Sequence, residues 1–90
     1  MPETTFTLRF PDERVLRCYS PSLVVHEHLP PGTVLPVSEV LTRSRLALRV
    51  ASDRVQERYG FPCSMAAASL QAVETAVARY TPTTPVTVQG

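Results

Sequence analysis

The chain has 90 residues, 43% of them hydrophobic and 19% charged, which is enough for one folded domain and excludes wholesale disorder. Its formal net charge is +1 and all nine of its Lys/Arg positions are arginine, so no global field draws it to nucleic acid. A domain this small buries only roughly 60 to 70% of its unfolded surface, so marginal stability and a homodimer are expected.

The first residues, Met1-Pro2-Glu3-Thr4-Thr5, carry neither a basic nor an apolar leader region, and nowhere do about 18 apolar residues run together. The reading is a cytoplasmic protein that does not enter the membrane. From Thr4 to Phe10 apolar Phe6, Leu8 and Phe10 alternate with Thr5, Thr7 and Arg9, the pattern of a half-buried strand. Pro11-Asp12-Glu13 supplies turn chemistry, and Val15 to Tyr19 alternates again, so the two runs predict an antiparallel hairpin. Ser20-Pro21-Ser22 interrupts the pairing because proline cannot donate to a ladder. The apolar Leu23-Val24-Val25, with its two β-branched valines, then reads as a third short strand or a bulged continuation of the second.

Leu29-Pro30-Pro31-Gly32 forces a turn, and Thr33 to Pro36 leads into the helical half. Apolar Val37, Leu41, Leu48, Ala51 and Val55, with Ser44 inside their stripe, recur at steps of three and four residues and predict one long helix over Val37 to Tyr59. Ser38 is its expected N-cap. Its end is expected from three neighbours: Gly60 in the left-handed conformation, Phe61 folding back onto the last turn, and Pro62 forbidding continuation. Ser64 is expected to cap a second helix reaching about Tyr80, with Ala66, Leu70, Val73, Val77 and Tyr80 on its buried face. The Pro/Thr-rich remainder, residues 81–90, reads as a mobile or extended tail beyond a single domain of residues 1–80, with Val86 to Val88 able to add an edge strand. The fold class is therefore α+β: a hairpin or three-stranded antiparallel sheet followed by two amphipathic helices packed on one face.

Cys63 is the first candidate for chemistry. A thiol beside a helix N-terminus meets unsatisfied N–H groups and the positive end of the dipole, which favours thiolate. The structural alternative is a small buried hydrophobe at a tight joint. Cys18 can join it as a redox pair if the fold brings the two together, although cytoplasmic thiols are ordinarily reduced and the spacing matches no motif. His26 and His28, if strand-borne, point to one side and could begin a metal site. They lack a third ligand at diagnostic spacing, so two polar histidines on an exposed edge is the competing reading. Arg43, Arg45, Arg49, Arg54 and Arg58 are interleaved with Glu39, Asp53 and Glu57 and read as a self-compensated helix face rather than a nucleic-acid surface, with Arg49–Asp53 and Arg54–Glu57 as expected pairs. No Gly-rich phosphate loop, G-x-S-x-G or H-E-x-x-H occurs, so autonomous catalysis and a bound cofactor are not expected.

Three segments together resemble one family: Arg17-Cys18-Tyr19-Ser20-Pro21-Ser22-Leu23-Val24-Val25, Ser44-Arg45 followed by Ala47-Leu48, and Tyr59-Gly60-Phe61-Pro62-Cys63-Ser64. The chain is similar, from about Thr4 to Arg79, to the small bacterial nitrogen-starvation response proteins encoded in a gene cluster around a nitrilase. A radical S-adenosylmethionine protein, an acetyltransferase and a flavin-dependent oxidoreductase accompany the nitrilase in that cluster. The resemblance implies a cytoplasmic accessory role in nitrogen metabolism, in nitrile or cyanide assimilation, with partners among the cluster products. It transfers no catalytic residue, does not include His26 or His28, and leaves the tail outside. A thiol-based redox or carrier function of Cys63, with or without Cys18, is the alternative.

Overall fold

The hairpin forms as the alternation predicts. Strand β1 (Thr4–Arg9) pairs antiparallel with β2 (Val15–Ser20), setting Phe6 opposite Cys18 and Leu8 opposite Leu16. Glu13 takes a left-handed φ of 73° in the connecting turn, and the Phe10 N–H donates to the Arg14 carbonyl at 2.9 Å. The computed structural model describes residues 3–89; Met1, Pro2 and Gly90, which fell within the expected domain and tail, lie outside the described residues.

Leu23 to Val25 is not a strand. The Ser20 hydroxyl donates to the Ser22 carbonyl at 2.8 Å, and the Ser22 Oγ accepts the Val24 N–H at 3.3 Å, turning the backbone into a one-turn helix, α1 (Val25–His28). Tertiary burial of Val24, Val25 and Leu29 overrides the extended preference of the two valines. After the Pro30-Pro31-Gly32 turn, Val34–Pro36 forms a short strand β3 that runs directly into the long helix α2 (Val37–Tyr59). Helix α2 has the bounds its periodicity predicts. Helix α3 (Ser64–Val77) stops three residues short of Tyr80, because its last turn tightens: the Tyr80 N–H donates to the Val77 carbonyl.

The segment expected as a tail is structural. Pro85–Gln89 forms β4, which lies inside the sheet between β1 and β3, giving the order β2-β1-β4-β3 with every pairing antiparallel. Val86 and Val88 are both fully buried, so this five-residue run contributes to the core despite its Pro/Thr-rich surroundings. The domain accordingly extends through residue 89.

The same segment replaces the expected Ser38 cap. Pro36 occupies the N-cap position of α2 without a side-chain bond, and the first helical N–H groups, of Val37 and Ser38, donate to the carbonyls of Thr84 and Pro82 at 2.9 and 3.0 Å. Phe6, Leu8, Cys18, Val86 and Val88 from the sheet meet Val40, Ala47, Leu48, Ala66, Val73 and Val77 from the helices in one buried cluster. Thr5, Arg9, Val15 and Arg17, on the alternate positions of the hairpin, remain exposed.

Candidate functional site

Two surface features surround α3: the joint at its start and a furrow along its length. At the joint, Gly60 adopts φ 84°, and its N–H donates to the Gln56 carbonyl at 2.8 Å, closing α2 as expected. Phe61 does not fold back. It is 63% exposed, alongside Tyr59 at 54% and Met65 at 56%, so three large apolar side chains stand exposed at the corner between α2 and α3. The Arg58 guanidinium lies 5.8 Å from the centre of the Tyr59 ring, within cation–π range.

Cys63, rather than Ser64, is the N-cap of α3, and Ser64 is the first helical residue. The Cys63 N–H donates to the Ser52 Oγ of α2 at 3.2 Å, tying the two helices at the joint. Its side chain is half-buried against the core. Both cysteines are free thiols. Cys18 lies in the core, and burial pushes its thiol up to about 11, so at neutral pH it is protonated and a poor nucleophile. The thiol reading therefore rests on Cys63.

The histidine geometry differs from the strand-based expectation. His26 and His28 lie on α1, where residues two apart do not share a face. The His26 Nε2 is 3.0 Å from the Thr4 Oγ1, and the His28 carbonyl accepts from Arg43 Nη1 at 3.2 Å. Nowhere among the described residues do three His, Cys, Asp or Glu side chains gather closely enough to hold a metal ion. The ion pairs of α2 are Glu39–Arg43 and Arg45–Glu74, both at 3.7 Å; Arg54 reaches across to the Ser22 Oγ at 3.3 Å, where its expected partner was Glu57.

The furrow runs between α3 and the β1–β2 hairpin, and its main cavity has a volume of about 590 Å³. Ala68, Ala72 and Ala76, one helical repeat apart, form its floor, with Gln71, Thr75 and Arg79 in a parallel row beside them. Phe10, Val15 and Leu16 make the opposite wall. Ser69 Oγ donates to the Tyr19 carbonyl at 2.7 Å and fixes the helix against β2. The Tyr19 phenol donates to Glu3 at 3.0 Å, and its pKa is raised by burial, then by that carboxylate and Cys63.

One end of the furrow is closed by a clamp. The Tyr80 ring stacks on Phe10 with centroids 4.6 Å apart and planes 5° from parallel. Its hydroxyl lies 2.8 Å from both Asp12 carboxylate oxygens, and Arg14 Nε sits 3.4 Å from the same carboxylate. The Tyr80 hydrogen bond, then Arg14, hold the Asp12 carboxyl below its ordinary value, while burial and the Asp12 contact push the Tyr80 phenol up. A smaller cavity at this end is bounded by Asp12, Arg14, Arg79 and Tyr80.

Sequence reasoning missed this furrow because it assigned α3 a buried face and left its outer face unexamined. The signal was the alanine repeat at 68, 72 and 76, which leaves a helix surface too low to fill the space beside a hairpin.

These features define a small α+β protein with an exposed aromatic corner and an open furrow along its second long helix. The chain belongs to the nitrogen starvation-induced protein NitG family, whose model matches residues 5–90. No curated protein and no solved structure matches it. The match includes β4, so the segment that the resemblance left outside is part of the family's domain. No helix among the described residues is long and apolar enough to cross a membrane.

Proposed function

We propose that this member of a nitrogen starvation-induced family is a cytoplasmic accessory protein that docks on an enzyme encoded in a nitrilase gene cluster, serving nitrile or cyanide assimilation without catalysis of its own. The observation that carries the reading is the exposed corner of Tyr59, Phe61 and Met65. Aromatic side chains, methionine and arginine are enriched where protein partners meet, and a few aromatic anchors usually carry most of the binding energy. Pro62, whose ring fixes its φ, sets this corner at the joint between two packed helices and limits the ordering entropy lost on docking. Support for a non-catalytic role comes from the sequence, which contains none of the familiar phosphate-loop, nucleophile-elbow or zinc-protease motifs.

The test uses the purified nitrilase and its three cluster neighbours, each immobilised in turn and exposed to this protein under mild crosslinking. Saturable binding to one of them is expected, weakened at least about tenfold by combining Phe61→Ser with Met65→Gln. Both side chains are exposed, so the fold tolerates the change. Binding to none of the four enzymes overturns the proposal, as does binding that the double variant leaves intact.

A further inference from the structure

We propose that the furrow between α3 and the hairpin binds a small organic anion, a carboxylate carried on an aromatic or aliphatic body. Its volume of about 590 Å³ lies within the range of roughly 300 to 1,000 Å³ spanned by small-molecule sites. The three alanines leave the floor low and apolar, and Phe10, Leu16 and the Phe10–Tyr80 stack provide walls against which a ring or chain loses water. Small-ligand sites combine such an apolar body with few polar groups placed to fix one end.

The polar groups here are concentrated and their charge is unbalanced. Arg14 and Arg79 both border the furrow where it meets the Tyr80 clamp, against the single carboxylate of Asp12. That carboxylate is already engaged by the Tyr80 hydroxyl and by Arg14 Nε. Arg79 forms no ion pair with any described residue, and the nearby α3 carboxylate, Glu74, pairs away with Arg45 at 3.7 Å. A guanidinium presents a planar fork of donors that a carboxylate fits bidentately. An anionic head placed on Arg79, with its body lying over Ala72 and Ala76, satisfies the unpaired charge and covers the apolar floor together. Gln71 and Thr75, in the row that ends at Arg79, offer neutral donors along the same path.

Phenylbutyrate is a suitable probe, with phenylbutyramide as its neutral counterpart, each titrated into the intact chain while amide proton–nitrogen correlation spectra are recorded. Saturable shifts confined to Ala68, Ala72, Ala76 and Arg79 and to the Phe10–Leu16 turn are expected, with the amide binding about tenfold more weakly, the worth of one charge-assisted contact. Arg79→Gln, at an exposed position, is expected to reduce the acid to the affinity of the amide. Ala72→Leu is expected to weaken both ligands by filling the floor. Equal binding of acid and amide overturns the proposal, and so does the absence of saturation. Shifts of the same amides that follow protein concentration without ligand also overturn it, by giving the furrow to a second copy of the chain.

Discussion

Ser44 is the residue where local and tertiary demands conflict. It lies within the apolar stripe of α2 and is fully buried, yet its hydroxyl has no hydrogen-bond partner among the described residues. An unsatisfied buried hydroxyl costs about 1–3 kcal/mol, and alanine is the better helix former. Ser44→Ala is therefore expected to stabilise the protein by about 1 kcal/mol in urea titration; a loss of stability would show that the hydroxyl has a role the fold does not reveal. Cys18 sets an alkaline limit. Its folded pKa is raised by burial from an ordinary value near 9 to about 11, so the buried neutral thiol favours the native state fully below the lower value. Between these two values the unfolded chain ionises while the folded one does not, and that contribution is lost as pH rises to about 11. Cys18→Ala should flatten the fall in stability across that window whatever its effect at neutral pH, which denaturation at a series of pH values would measure.

At the scale of elements, the clamp between α3 and the hairpin offers a test that leaves the core untouched. Tyr80→Phe keeps the stack on Phe10 and removes only the hydroxyl bonded to Asp12. The Asp12 pKa is then expected to rise back toward the ordinary carboxylate value of 3.8, readable by carbon NMR titration. Because the folded-state pKa is depressed, its contribution exists above the ordinary value and is lost as pH falls through the depressed one. The stability deficit of the variant should therefore shrink in acid, and a deficit independent of pH would remove the ionic character assigned to this contact. Elements that announce themselves by period were legible in the sequence: the hairpin, the full span of α2 and its Gly60 stop all rest on local patterns. What was not legible depended on partners far along the chain. Val24 and Val25 look extended until the hydroxyls of Ser20 and Ser22 turn the backbone. Phe61 suits a fold-back cap by sequence, but only the fold shows it standing in solvent. The furrow needs α3 and the hairpin side by side before its alanine row means anything.

At the scale of the molecule, the two ends of the described chain meet in the sheet, and β4 is what closes it. Removal of residues 81–90 opens β1 and β3 at once, takes Val86 and Val88 from the core, and strips the first N–H groups of α2 of the Pro82 and Thr84 carbonyls that precede β4. Burial of two valine side chains is worth about 3–6 kcal/mol. A chain of 90 residues has a net stability of only about 5–13 kcal/mol. The lost hydrogen bonds and newly exposed strand edges add to the deficit. A chain ending at Tyr80 is therefore expected to lose its cooperative thermal transition and the near-ultraviolet dichroism of the packed Phe10–Tyr80 pair. Adding a synthetic peptide of residues 81–90 should restore both by inserting as a strand between β1 and β3, the exchange that strand-complemented folds make between chains. Cooperative melting of the shortened chain by itself would instead mean that the hairpin and the two helices form a sufficient domain, and that the last strand is an addition to it.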